Sequence, residues 1–266
     1  MPILETLLDP LADLPELLRR RALRLIKGPL DALLRPLGGQ VWERNNAEED
    51  IKSLLPPSAI ILDIGAHTGE SIASFRNACP SSQIHAFEPT PETWLTLERR
   101  WGAKAGIHLN QAAVGDHSGT VTFYTGPLAQ TNSVLPIDED AEWYGLFKRT
   151  RFAKKVNIPI EVDIITVDDY CLKAAIDHID LLKIDTQGND VACVRGAQRM
   201  IAESRIDAIH LELIFGEFYN DRNSFYDVEQ LILPHGFRLA NLYYPHIMNR
   251  RTMQLDALYI RESRQG

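Results

Sequence analysis

Ile60-Ile61-Leu62-Asp63-Ile64-Gly65-Ala66-His67-Thr68-Gly69-Glu70, followed after a helical interval by Gln83-Ile84-His85-Ala86-Phe87-Glu88-Pro89, decides the fold. The branched apolar run predicts a buried strand over 60–64. The chain then turns on Gly65 and Gly69, a helix is expected over 69–78, and a second strand over 83–87 ends in Glu88. Glycine permits tight turning and close backbone approach to a ligand. The start of the helix offers free N–H groups and the positive end of a dipole. Glu88 is placed to accept hydrogen bonds from a ribose diol. The segment reads as a nucleoside-binding βαβ unit.

The same alternation continues outward. Further strands are expected over 107–114, 121–124, 161–166, 181–184, 208–213, 238–243 and 255–260, with helices over 91–100, 167–175, 190–203 and 225–233. Alternating strands and helices predict an α/β fold with a mostly parallel sheet and helices on both faces. Ligands of such sheets bind beyond the carboxyl ends of the strands. That rule gathers Asp63, Glu88, Asp185 and Glu212 around one cleft. An interruption over 126–159 carries Asn132, Ser133, acidic residues at 138–142 and basic residues at 148–155. It reads either as a substrate-side insertion or as a solvated excursion.

The chain has 266 residues, 45% of them hydrophobic, enough for one large domain, 46–266, with an appendage. Its formal net charge of -8 argues against a broad nucleic-acid surface. The 3 cysteines show no metal-ligand spacing and read as reduced thiols of a cytoplasmic protein. No apolar run is long enough to span a bilayer. Residues 1–45 stand apart: leucines recur at helical spacing, broken by Pro10 and Pro15, beside Arg19-Arg20-Arg21. This amphipathic arm suits peripheral contact with a membrane or a lipid-linked substrate. The other reading is an arm that packs on the domain, covers the active site or makes a homodimer.

A second block, Leu181-Leu182-Lys183-Ile184-Asp185-Thr186-Gln187-Gly188, is a buried strand ending in polar residues and a glycine turn. Asp185 would face the same cleft as Gly65. A dinucleotide fingerprint is absent, because His67 stands where Gly-x-Gly-x-x-Gly needs its second glycine. The Asp63-x-Gly65-x-x-x-Gly69 spacing instead resembles motif I of class I S-adenosylmethionine methyltransferases. With 86–89, Gln111-Ala112-Ala113-Val114-Gly115-Asp116, 165–170, 181–188, 195–197, 211–213, 235–237 and 256–260, the chain resembles the FkbM family of methyltransferases over about 51–260, the Lys183–Gly188 block being the most discriminating part. The resemblance implies a Rossmann-like class I methyltransferase fold and the cofactor S-adenosylmethionine. It also implies O-methylation of a hydroxyl on a sugar, polyketide, other secondary metabolite or envelope glycan.

On that basis Asp63 is assigned to the methionine end of the cofactor, through water, Glu88 to the ribose hydroxyls, and Gly65, Ala66, His67 and Gly69 to the turn along it. Gln111 falls where the family pattern has a polar residue near the adenine. His67 departs from the small residue or Asn common there; it hydrogen-bonds a ligand or simply packs. Asp185 is the first candidate for the base and Glu212 the second, with His210 read as a packed histidine. The two carboxylates suit a divalent cation as well, but further ligand spacing is missing and no metal is expected. Asn132, Ser133, Glu217 and Tyr219 are candidate acceptor contacts. An oxidoreductase and a nonenzymatic interaction module are the competing classes. The broken glycine spacing opposes the first, and the presence of Asp63, Glu88 and Asp185 opposes the second.

Overall fold

The computed structural model describes residues 47–126, 129–140, 144, 156–216, 218–219, 225–248 and 250–262. The arm over 1–45, the basic part of the insertion and Glu217 lie outside them. Helix α1 (Ala47–Leu54) precedes β1 (Ile60–Ile64), α2 (Glu70–Ala78), β2 (Gln83–Phe87), α3 (Pro91–Trp101) and β3 (Ile107–Asn110). Then come β4 (Ala113–Val114), β5 (Gly119–Thr125), β6 (Ile158–Ile165), α4 (Val167–Ala174) and β7 (Ile179–Ile184). The chain closes with α5 (Asp190–Arg195), α6 (Gln198–Ala202), β8 (Ile206–Ile214), α7 (Phe225–Ile232), β9 (Phe237–Met248) and β10 (Arg251–Arg261).

Seven strands form one sheet in the order β3-β2-β1-β7-β8-β10-β9. All neighbouring pairs from β3 to β8 are parallel, and β10 runs antiparallel to both β8 and β9. The mostly parallel, Rossmann-like sheet is thus as expected. Period-two alternation divides its side chains between two cores. Leu62, Leu182, Ile209 and Ala257 pack with residues of α4, α5, α6 and α7. Ile61, Leu181, Ala208 and Leu258 pack on the other face with residues of α1, α2 and α3. Each buried leucine or isoleucine contributes about 1.5–3 kcal/mol. Among the described residues no helix is long and apolar enough to cross a membrane.

Three elements differ from the sequence reading. The strand expected over 107–114 breaks at Gln111-Ala112: β3 joins the large sheet, while β4 joins β6 and β5 in a second sheet of order β4-β6-β5. The helix expected over 190–203 is two helices, because Gly196 lies against another backbone segment. A Cβ there would stand 2.0 Å from the Gly115 carbonyl oxygen. The Asp168 carboxylate then accepts from the N–H groups of Arg199 (2.8 Å) and Met200 (3.1 Å), starting α6 afresh. Helix α1 was not anticipated from its short acidic segment. Its Asp50 accepts from Tyr243 (2.6 Å) and Asn241 (3.1 Å) of β9, so tertiary contacts hold it.

Candidate active site

A cleft of about 450 Å³ opens at the carboxyl ends of β1, β2 and β7. The turn from Ile64 to His67, with Glu70 and Ser71, makes one wall. Glu88, Pro89 and Thr90 come from the end of β2, and Lys183, Asp185, Thr186 and Gln187 from the end of β7. Ala112, Ala113, Val114 and Phe123 bring the small sheet to the far side, joined by Ala129, Asn132 and Val134 of the insertion. The break between β3 and β4 is therefore what gives the cleft its apolar wall.

Gly65 and Gly69 are left-handed, with φ of +76° and +89°. Their need for glycine is internal as well as conformational. A Cβ on Gly65 would stand 1.9 Å from the Asp185 carbonyl oxygen, and one on Gly69 2.2 Å from Trp101 Nε1. Gly65 thus lets β1 close on the end of β7, while Gly69 admits Trp101 and does not line the cleft. His67 is left-handed too, at φ +50°. Its N–H donates to Glu88 Oε2 (3.1 Å), and its imidazole sits on the wall 3.5 Å from Glu70. Glu88 Oε1 accepts from the Thr90 N–H (2.9 Å). Two backbone groups thus aim a nearly buried carboxylate. Burial raises its pKa and those hydrogen bonds pull against it.

Asp63, Lys183 and His210 form a row of register partners across β1, β7 and β8. Lys183 Nζ stands 3.1 Å from Asp63 Oδ1 and 3.6 Å from Asp185 Oδ2, and donates to the Gly65 carbonyl at 2.9 Å. The other Asp63 oxygen accepts from the Ser71 hydroxyl. Burial disfavours the ammonium charge, yet the Asp63 and Asp185 carboxylates together outweigh it, and Lys183 is held above its usual range. Asp63 is fully buried. It lies behind Lys183 and Ser71 and does not itself line the cleft. His210 is packed, its pKa pushed down to about 4 by burial and then by the Lys183 charge.

Asp185 lines the cleft with its side chain 44% exposed. Glu212 does not reach the wall. Its Oε2 accepts from Gln187 Nε2 (2.9 Å) and its Oε1 from Gln254 Nε2 (3.0 Å). Burial, then the nearby Asp185, Asp190 and Asp256 charges, push Glu212 up to about 9. Burial and Asp185 likewise push Asp190 up to about 7. Of the two candidate bases only Asp185 meets the cleft.

The remaining candidates scatter. Asn132 lines the cleft, with its Oδ1 accepting from the Gly126 N–H (2.9 Å). Ser133 is fully buried, and its hydroxyl donates toward the carbonyls of Gln187 (2.9 Å) and Thr186 (3.2 Å). It pins the insertion to the loop after β7 instead of facing an acceptor. Tyr219 is buried behind Gln187 and off the wall. Gln111 is exposed outside the cleft, and its neighbour Ala112 takes the place on the wall. Glu217 lies outside the described residues. Among those residues His178, Asp180 and Asp207 are close enough together to hold a metal ion, at the amino ends of β7 and β8, a group that includes neither Asp185 nor Glu212.

The model of the methyltransferase FkbM domain matches residues 63–239, from Asp63 in β1 into β9. The chain belongs to the FkbM methyltransferase family. It is 28% identical over 174 residues to the 2-O-methyltransferase NoeI of Sinorhizobium fredii, covering 64% of this chain and 69% of that one. It is 24% identical over 201 residues to Methyltransferase 1 of Beauveria bassiana, covering 70% and 74%. A solved FkbM methyltransferase from Methylobacillus flagellatus superposes with a TM-score of 0.49 at 18% identity, over 77% of this chain. The match spans 45% of that solved chain. The family uses S-adenosylmethionine. The cleft of this FkbM chain fits such a ligand: a carboxylate fixed by two N–H groups faces it, each oxygen keeping a lone pair for a hydroxyl, and apolar side chains stand opposite.

Two residues prominent in this FkbM site were missed as site residues in the sequence reading. Lys183 did carry a signal, since a lysine inside Leu181-Leu182-Lys183-Ile184 needs a partner if the strand is buried. Gln187 stands in the Lys183–Gly188 block on which the family resemblance leans most, but that block does not show its role, which depends on carboxylates 2 and 25 positions away.

Proposed function

We propose that this chain is an S-adenosylmethionine-dependent O-methyltransferase acting on a hydroxyl of a sugar, glycoside or secondary metabolite. The observation that carries the reading is that Glu88 and Asp185 face one cleft from the ends of β2 and β7, with the glycine turn between them. Kinship with a relative named a 2-O-methyltransferase supports oxygen as the methyl acceptor. S-adenosylmethionine, when bound, supplies a methyl group on a cationic sulfur that is already a good leaving group. The work left to this chain is alignment, exclusion of water and handling of one proton.

Glu88 would receive the ribose hydroxyls, and the backbone from Gly65 to His67 would lie along the ligand. Asp63 would act through Ser71 and Lys183, which hold the floor of the cleft. As the acceptor oxygen gains a methyl group it sheds a proton, and Asp185 is placed to take it. Its exposure lets that proton pass to solvent. Glu212 does not line the cleft and supports the site from behind. The acceptor would lie against Phe123, Val134 and Asn132, on the side of the insertion.

Calorimetric titration with S-adenosylhomocysteine tests the cofactor half, with NAD as control. Glu88→Ala should weaken binding roughly 10- to 100-fold, the loss of charged hydrogen bonds worth about 1.5–3 kcal/mol. No binding by the folded wild type, or an NAD signal in its place, overturns the assignment. A screen of sugars, glycosides and hydroxylated metabolites with methyl-labelled S-adenosylmethionine tests the acceptor half. Label transferred to amine or carbon acceptors alone would refute the O-methyl reading.

A further inference from the structure

Gln187 joins the two carboxylates of the site. Its Nε2 donates to Asp185 Oδ1 at 3.0 Å and to Glu212 Oε2 at 2.9 Å. Its Oε1 accepts from the Tyr219 hydroxyl at 3.1 Å. A primary amide has two N–H donors and one carbonyl, so this set of partners leaves neither donor unused and fixes which way the amide points. The backbone is held as firmly. Gln187 is left-handed at φ +56°, a region non-glycine residues rarely occupy, and its carbonyl accepts from Ser133 Oγ at 2.9 Å. Strain of this kind persists where the surroundings over-determine it, and it concentrates at functional sites.

The second oxygen of Asp185 faces Lys183 Nζ at 3.6 Å, so the carboxylate is gripped on both sides. The Tyr219 hydroxyl also faces the Thr131 carbonyl at 3.2 Å. Thr131 and Ser133 belong to the insertion whose neighbours Asn132 and Val134 line the cleft. Residues on the acceptor side and the candidate base therefore meet at one amide.

We propose that Gln187 is a positioning residue for methyl transfer, which aims the Asp185 carboxylate into the cleft by dividing its two N–H groups between Asp185 and Glu212. Tyr219 and Ser133 hold Gln187 in turn. The proposal rests on the O-methyltransferase reading for its catalytic meaning, while the bridge itself is independent of any acceptor.

The test compares the wild type with Gln187→Leu, Gln187→Asn and Tyr219→Phe. Gln187→Asn keeps an amide and tolerates a left-handed backbone, but is one methylene too short to span both carboxylates. It therefore separates loss of the bridge from misfolding. The first readout is the carboxyl carbon resonance of Glu212, titrated by NMR with no acceptor present. Glu212 should titrate near pH 9 in the wild type, and its midpoint should rise by about half a pH unit or more in both Gln187 variants, because a donor to the charged form is lost. A smaller rise is expected in Tyr219→Phe. An unchanged midpoint in a folded variant overturns the bridge.

The second readout is turnover of whichever acceptor the screen yields. Both Gln187 variants should lose at least about 10-fold in kcat, move the acidic limb of the pH profile and leave affinity for S-adenosylhomocysteine within about 2-fold. Wild-type kcat and pH profile in a variant whose Glu212 midpoint has moved overturn the positioning role. If the wild type transfers methyl to no hydroxyl, the functional reading fails and the catalytic role of Gln187 with it, while the Glu212 titration still decides the bridge.

Discussion

The Lys183 ammonium stands 3.1 Å from the Asp63 carboxylate, on adjacent parallel strands, with Asp63 fully buried. Lys183 lines the cleft with Asp63 behind it, and the lysine ties the glycine turn to β7 through the Gly65 carbonyl. Breaking a buried pair from one side leaves the other charge stranded. Lys183→Met should therefore cost about 3–5 kcal/mol in urea unfolding. Asp63→Asn should cost less, because Lys183 keeps Asp185 and the Gly65 carbonyl. Equal losses from the two variants would show that Asp185 and the Gly65 carbonyl do not sustain the ammonium once Asp63 is gone.

Gly65→Ala places a methyl group 1.9 Å from the Asp185 carbonyl oxygen, on a backbone at φ +76°. Both the strain and the clash separate the ends of β1 and β7. A loss of about 2 kcal/mol or more is expected, together with weaker S-adenosylhomocysteine binding measured by calorimetry. Unchanged affinity in this variant would mean that the turn does not shape the ligand site.

His210 resists protonation in the fold, its pKa pushed down to about 4 from 6.5 by burial and then by Lys183. Between those values the unfolded chain binds the proton and the folded one does not, so His210 makes stability fall as pH falls. Set against His210→Gln, the wild type should lose ground from about pH 6.5 to pH 4, by roughly 3 kcal/mol at the lower end. Parallel pH profiles of unfolding free energy would show that the imidazole finds a proton acceptor in the fold.

Glu212 acts in the opposite sense. Burial and then the carboxylates around it push its carboxyl up to about 9 in the fold, against 4.5 for an ordinary glutamate. The wild type should therefore lose about 1.4 kcal/mol per pH unit relative to Glu212→Gln across that window. Urea midpoints at pH 6 and pH 8 measure the widening, and a constant gap would mean that Glu212 is ionised when folded.

Much of the fold was legible because it is locally encoded. Strands β1 and β2 fall where their apolar runs and the glycine turn placed them, and the large sheet is mostly parallel as the alternation required. The broken strand at Gln111-Ala112 and the split helix at Gly196 were not legible. In both places a distant segment, β6 or Gly115, overrides local propensity. The site divides in the same way. Gly65, Glu88 and Asp185 reach the cleft because each ends a strand or begins a turn. Glu212 lies on a strand too, but beside Asp256 of the antiparallel β10, whose position no local pattern announces.

The sequence by itself determined the alternation of strands and helices, the glycine turn after β1 and the membership of the chain in its family, since these rest on residue types at short spacing. Tertiary structure decided which polar groups face the cleft and which are buried behind it. Asp63 and Asp185 are both acids at the ends of apolar strands, yet one is sealed beneath Lys183 and the other is open to a ligand. Register between strands far apart in the chain makes that difference, and with it the protonation state of Glu212 and the place of Gln187 between the two carboxylates.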